Sequence, residues 1–170
     1  MSMSRAPDDG FAAFYALQFR RIAAQISVYL GDLDEARDVT QEAFVRAWQR
    51  WDRISGYEEP VTWVRRVAWN LATSRLRRWR LARRQQRLEL VEDVPGPEPH
   101  GLAIRAALAS LPDGQRRAVV LHYLLGLPVA EVADLCRVRE GTVRTWLYRA
   151  RLALAVTLHD FREVPTDVQS

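Results

Sequence analysis

The stretch VREGTVRTWLYRAR, residues 138–151, combines arginines and hydroxyl side chains at helical spacing. Its candidates for binding a polyanion are Thr142, Arg144, Thr145, Tyr148 and Arg149. An arginine can donate two hydrogen bonds to a guanine edge, and a threonine can add a smaller contact. Thr142 stands at the expected start of a helix, where its hydroxyl and free backbone N–H groups can hold a phosphate. The chemistry predicted here is nucleic-acid binding.

These side chains need a rigid helix behind them, and the sequence provides for one. Val143, Leu147 and Ala150, spaced by four and three residues, fall on the side opposite the polar candidates. Upstream, Pro128 suits a helix start, and the apolar positions expected to face inward are Val129, Val132, Ala133 and Leu135. Two short helices separated by CRVREG predict a helix-turn-helix, whose second helix enters the major groove.

Charge is distributed unevenly along the chain. All 25 basic residues are arginine, and the net charge is +4. Residues 60–88 contain nine arginines and no acid, whereas residues 89–101 contain four acids and no base. Such an uncompensated basic segment favours a polyanionic partner, with nucleic acid ahead of an anionic membrane.

The N-terminal half also follows a helical period. A first helix is predicted to end near Gly31, and Asp32 with Glu35 forms a plausible capping box for a second. The second helix would carry an apolar side made of Ala36, Val39, Ala43, Phe44, Ala47 and Trp51. The segment ISGYEEP interrupts it, and Pro60 suits the first position of a third helix.

Residues 92–101, EDVPGPEPHG, predict an extended and exposed linker. The expected fold class is all-α, with two small helical domains joined by an acidic linker rich in proline and glycine. The expected boundaries are 8–90, 91–101 for the linker, and 102–160. Residues 113–125 are expected to form one helix.

The whole layout resembles an extracytoplasmic-function (ECF) sigma factor, a promoter-recognition subunit of bacterial RNA polymerase. Three blocks carry the resemblance, in the family's order: DEARDVTQEAFVRAW at 34–48, TWVRRVAWNLATSRLRR at 62–78, and EVADLCRVREGTVRTWLYRAR at 131–151. Domain 8–90 would then bind core polymerase and melt the −10 element, and domain 102–160 would read the −35 element.

In the first block, Asp38, Gln41 and Glu42 share one helix face by their spacing. The resemblance implies that this face binds the clamp of the polymerase β′ subunit. It further implies contact with the β flap, binding to promoter DNA, and an anti-sigma factor as a possible partner.

In the second block, aromatic residues beside arginines can stack unpaired bases and hold phosphates. Core packing is the alternative for each tryptophan, and we expect Trp63 in the core because the family usually buries an aromatic there. The resemblance implies that the ISGYEEP loop holds a flipped base. The residues predicted to bind −10 DNA are Trp69, Asn70, Arg75, Arg77 and Arg78.

The third block departs from the family, since many relatives have Ser-Arg where this chain has Thr145-Trp146. Trp146 could pack on the protein or stack against the DNA backbone, and the sequence leaves both open. The acids of the linker, Glu92, Asp93 and Glu98, are expected either to solvate a tether or to mimic nucleic-acid charge near the path of the RNA.

A stand-alone helix-turn-helix regulator is the alternative function, but it leaves the first two blocks unexplained. An enzyme is disfavoured, because the three histidines are scattered and Cys136 is the single cysteine. No catalytic residue, metal or cofactor is predicted. The N-terminus lacks a signal peptide and no segment is long enough to span a membrane, so a cytoplasmic protein is expected.

Overall fold

Helices make up the regular structure of the residues that this computed structural model describes, and no strand occurs among them. The described residues are 9–85 and 99–162 for the backbone, and 10–82 and 103–157 for the side chains. The predicted all-α class is confirmed. By internal contacts the chain divides into two compact units, Met1–Glu89 and Leu90–Ser170.

The described helices of the first unit are α1 (Asp9–Leu30), α2 (Leu33–Trp48), α3 (Trp51–Ile54) and α4 (Pro60–Gln85). Helix α1 ends where predicted because Gly31 has φ 78°, a left-handed conformation that glycine adopts without steric cost. The Asp32 carboxylate caps α2 by accepting hydrogen bonds from the backbone N–H groups of Asp34 and Glu35 at 2.9 and 3.0 Å. The Glu35 side chain does not complete a capping box, because it pairs with Arg75 of α4.

Trp51 lies in the short helix α3 and not on the second helix, where the sequence placed it. The chain turns after Trp48, and Trp51 reaches the same core from α3. Helix α4 begins at Pro60 as predicted, since proline needs no N–H partner at a first helical position.

The core of the first unit lies between α1, α2 and α4. Its largest fully buried side chains are Ile22, Ile26, Val39, Phe44, Ile54, Val64 and Trp69. At the start of α1, the ring of Phe11 contacts Trp48 and Trp51, with centroids 4.9 and 5.2 Å apart. These contacts fix α2 with its charged face outward.

The described helices of the second unit are α5 (Pro99–Ala109), α6 (Asp113–Val119), a π-helical turn (Val120–Leu124), α7 (Val129–Cys136) and α8 (Glu140–Arg162). Helix α5 begins inside the segment predicted as an extended linker, so residues 99–101 are helical. Proline at a first helical position favours this start. The linker residues Glu92, Asp93 and Glu98 lie outside the described residues.

The expected single helix over 113–125 is interrupted by the π-helical turn. There the Leu125 N–H donates to the Val120 carbonyl, five residues earlier, at 2.9 Å. The turn between α7 and α8 is made by Arg137, whose φ of 56° is left-handed, and by a bond of 3.0 Å from the Val138 N–H to the Ala133 carbonyl.

Helices α7 and α8 form the predicted helix-turn-helix. The predicted inward face of α8 is confirmed, because Val143, Leu147 and Ala150 are all buried. On α7, Val132 and Ala133 are buried. The other two positions expected to face inward, Val129 and Leu135, are only partly buried.

Candidate nucleic-acid interface

The outer face of α8 presents four of the five side chains predicted to read DNA. Arg144, Thr145, Tyr148 and Arg149 are all exposed, and Tyr148 exposes 55% of its surface. They lie opposite the buried side of the helix, which holds α8 against the rest of the second unit. A convex row of donors on a rigid helix has the shape that major-groove recognition requires.

Two of these side chains are held by their own helix. Arg144 Nη2 donates to a carboxylate oxygen of Glu140 at 2.7 Å, and Thr145 Oγ1 donates to the Gly141 carbonyl at 2.9 Å. An exposed ion pair of this kind stabilises a protein by less than about 1 kcal/mol. A phosphate or a guanine edge can therefore displace Glu140 from Arg144.

Thr142 differs from its prediction in one respect. Its backbone N–H is not free, because it donates to the Arg139 carbonyl at 2.9 Å. The chain makes a tight turn at the start of α8, and this turn uses the amide that was expected to hold a phosphate. The Thr142 hydroxyl, on a partly buried side chain, remains the candidate contact.

Trp146 packs on the protein, which is one of the two alternatives that the sequence left open. Its indole lies over Gly114 of α6, so closely that a Cβ at Gly114 would be 2.7 Å from Trp146 Cζ2. The side chain is partly buried by this contact.

Sequence reasoning did not assign Arg151 to the interface. This exposed residue lies seven positions after Arg144, on the same flank of α8, and its Nη1 donates to the Tyr123 hydroxyl at 3.1 Å. The spacing of seven residues, or two helical turns, between Arg144 and Arg151 could have identified it.

On α4, three of the predicted −10 residues are exposed, namely Asn70, Arg77 and Arg78. Asn70 and Arg77 are seven residues apart and therefore share a face. Arg66, one turn before Asn70, is exposed on this face as well, and sequence reasoning missed it.

Trp69 is not available to a base, contrary to its prediction. It is 1% exposed and packs on Tyr29, with ring centroids 4.4 Å apart. Trp63, expected in the core, is partly buried. In the ISGYEEP loop before α4, which was expected to hold a flipped base, Tyr57 exposes 38% of its surface.

Arg75 is also placed differently from its prediction. Its guanidinium forms an ion pair with Glu35 of α2, and each side chain is more than two-thirds buried. This pair joins two helices of the first unit. Arg75 is therefore held mostly buried by this pair, while its neighbours Arg77 and Arg78 face solvent.

A further basic pair lies near the start of α4. Burial lowers the pKa of the Arg65 guanidinium, the nearby charge of Arg21 lowers it further, and Glu59 partly offsets both. The Arg65 Nε atom is buried without a hydrogen-bond partner. Arg65 thus lies close to both Arg21 and Glu59, the latter in the loop that carries Tyr57.

The three predicted residues of α2 share one outer face, as their spacing requires. Asp38 and Gln41 are exposed and Glu42 partly so. Gln41 Oε1 accepts a hydrogen bond from the Tyr15 hydroxyl at 2.8 Å, and Glu42 pairs with Arg46 at 2.5 Å. The large apolar side chains Val45 and Trp48 are exposed on the same helix.

Two family models match the chain: Sigma-70 region 2 over residues 15–85, and Sigma-70, region 4 over residues 101–154. The ECF RNA polymerase sigma factor SigW of Bacillus subtilis is 28% identical over 180 residues, which cover 93% of this chain and 94% of SigW. The ECF RNA polymerase sigma factor SigC of Mycobacterium tuberculosis is 33% identical over 132 residues, covering 74% of this chain and 71% of SigC.

Two solved structures share the fold. The sigma factor RpoE of Bartonella quintana, solved with the anti-sigma factor NepR, matches with a TM-score of 0.72 at 22% identity, over 89% of this chain and 98% of RpoE. CnrH, solved in complex with the cytosolic domain of CnrY, matches with a TM-score of 0.61 at 22% identity, over 91% of each chain.

Both halves of the chain therefore have the architecture of the sigma-70 class. The chain belongs to the ECF family of RNA polymerase sigma factors, which direct promoter-specific initiation of transcription. Members of this family are initiation factors and not enzymes. A stand-alone regulator is not favoured, because it leaves the region 2 match over residues 15–85 unexplained. Within the described ranges, each helix is too short or too polar to cross a lipid bilayer.

Proposed function

We propose that this chain binds bacterial core RNA polymerase in the cytoplasm and reads the −10 and −35 promoter elements with separate domains. Residues 8–90 form the first domain and 102–160 the second, and 91–101 join them, with the start of α5 at the end of this segment. The observation that carries this proposal is that two exposed faces lie on different helices of the first unit. The face of Asp38, Gln41 and Glu42 lies on α2, and the face of Asn70 and Arg77 lies on α4.

Helix α2 provides the polymerase contact. Asp38, Gln41 and Glu42 present two carboxylates and an amide to a basic surface, which we assign to the β′ clamp. Complementary charge of this kind steers association and fixes the register of the complex. The second domain binds the β flap, which would hold it near the −35 element.

The −10 contact lies on α4. Asn70 contacts the non-template strand, and Arg77 and Arg78 bind its phosphates. The exposed ring of Tyr57 supports a stacking role for this residue, in place of the buried Trp69. The ISGYEEP loop, which contains Tyr57, would hold the flipped base.

The −35 contact lies on α8. Arg144 and Arg149 read base edges, Thr145 and Tyr148 add contacts between them, and Thr142 holds a phosphate through its hydroxyl. Linking the two DNA-reading domains raises the effective concentration of the second once the first has bound. Each domain can therefore bind weakly by itself.

An anti-sigma factor is a further partner that we propose. The sigma factor RpoE was solved in complex with the anti-sigma factor NepR, and this chain shares the RpoE fold. A partner of this kind would cover the polymerase face or the DNA faces described above.

Charge reversal of Asp38 tests the polymerase contact. Because the exposed Asp38 lies on the proposed contact face, Asp38→Arg should weaken binding to core polymerase by about tenfold or more. Asp52→Arg is the matched control, since it makes the same charge change at an exposed position of α3, outside the proposed contact face. Equal binding by both variants, measured by fluorescence anisotropy with labelled protein, would reject the α2 assignment.

A further inference from the structure

Gly114 and Trp146 form a complementary pair between α6 and α8. A Cβ at Gly114 would lie 2.7 Å from Cζ2, and 2.9 Å from Cε2 and Cη2, of the Trp146 indole. Real Cβ atoms do not approach other atoms so closely, so no larger residue fits at position 114 while the indole stays in place.

Gly114 is the second residue of α6, and glycine is a weak helix former. The indole of Trp146 occupies the space that a side chain at position 114 would need. The rest of the α6–α8 contact is conventional packing of buried apolar residues such as Val119, Val143 and Leu147.

The location of Trp146 connects this contact to DNA recognition. The residue stands between Thr145, which faces outward, and Leu147, which is buried. The indole therefore holds the flank of α8 next to the proposed reading face. Binding groups must be held within about 0.5 Å of their productive geometry by the packing behind them.

We propose that Trp146 is a positioning residue: its indole, packed over Gly114, fixes the recognition helix on α6 and so sets the affinity for the −35 element. Trp146 does not itself touch DNA. The inference rests on the proposed reading of the −35 element by α8.

A double-mutant cycle between positions 114 and 146 tests the pair. Gly114→Ala adds a Cβ that the indole must avoid, whereas Trp146→Phe removes the outer part of the indole, which includes Cζ2 and Cη2. The full-length chain, bound to core polymerase, is titrated with a promoter duplex that gives a run-off transcript and with the same duplex carrying a scrambled −35 element.

Overpacking at Gly114 should shift α8, so Gly114→Ala should lower the preference for the intact −35 element about fivefold or more. Adding Trp146→Phe should restore most of this preference. Core-polymerase affinity and the circular dichroism spectrum at the assay temperature should stay unchanged throughout, which separates a positioning role from a general loss of folding.

Two results would overturn the inference. The first is a Gly114→Ala variant with an unchanged −35 preference. The second is a loss of −35 preference on Trp146→Phe that is equally large whether position 114 is Gly or Ala. That pattern indicates direct contact of Trp146 with DNA. If the wild type binds the intact and the scrambled duplex equally, the proposed −35 function is refuted instead. In that case the wild type, the two single variants and the double variant all behave alike.

Discussion

The indole of Trp69 lies against the ring of Tyr29, with centroids 4.4 Å apart and planes inclined by 44°. The contact joins α4 to α1 inside the core of the first unit. It places the tryptophan of the −10 helix on the protein side of that helix. Asn70, the next residue, faces solvent, so adjacent positions of α4 lie in opposite environments.

Trp69→Ala should destabilise the first unit by about 3–5 kcal/mol, because it removes a large buried aromatic side chain. Denaturant unfolding, followed by circular dichroism, measures the change. A variant that keeps its stability but loses −10 binding would show that Trp69 contacts a base after all.

Arg75→Ala and Arg77→Ala should have different effects although the two residues are close in sequence. Arg75→Ala leaves the partly buried Glu35 without its partner and should cost about 1 kcal/mol or more of stability. Arg77→Ala should change the free energy of unfolding by less than about 0.5 kcal/mol. It should make the fall of the DNA-binding constant with salt less steep, by the contribution of about one phosphate contact.

The salt slope is measured for the polymerase-bound protein on −10 DNA, and the stability for the free protein. If Arg75→Ala lowers the slope as much as Arg77→Ala does, the ion pair opens in the complex and Arg75 binds phosphate as the sequence predicted.

Arg144→Ala should weaken binding by about 1–3 kcal/mol on a promoter whose −35 element presents a guanine to this residue. The loss should disappear when that base pair is replaced, because the missing bonds are specific to the guanine edge. A series of promoter variants distinguishes this from a phosphate contact, for which the loss is uniform. No loss on any promoter would exclude both roles.

Cys136 should react slowly with thiol reagents at neutral pH. Burial raises the pKa of its thiol, nearby Arg117 lowers it, and Asp113 raises it again. The pKa of this thiol is higher in the folded state than in the unfolded state. The protonated thiol therefore contributes to stability at pH values below the unfolded pKa, and this contribution is lost as the pH rises through the folded pKa.

The rate of alkylation by iodoacetamide should therefore have its midpoint at a higher pH in the native protein than in urea. Equal midpoints in both conditions would show that the thiol is solvated in the folded chain.

The sequence predicted those features that depend on local rules. Gly31, Asp32 and Pro60 mark helix ends through backbone geometry and capping, and each does so in the structure. The buried face of α8 followed from the spacing of Val143 and Leu147. Such features need only the residues of one helix and its flanks.

The errors arose where two helices meet. The burial of Trp69 depends on where α1 lies, since Tyr29 of α1 packs against its ring. The Arg75 partner, Glu35, is 40 positions away in the sequence. The site for the Trp146 ring exists because position 114 is glycine. Helical periodicity identifies a face but does not identify what packs against it.

Run-off transcription with bacterial core polymerase tests the central claim most directly. Promoter fragments from the organism's own genome serve as templates, with and without this protein. We expect discrete transcripts that depend on the protein and whose start sites share −10 and −35 elements at constant spacing. Failure to bind core polymerase, together with the absence of any such transcript, would contradict the account.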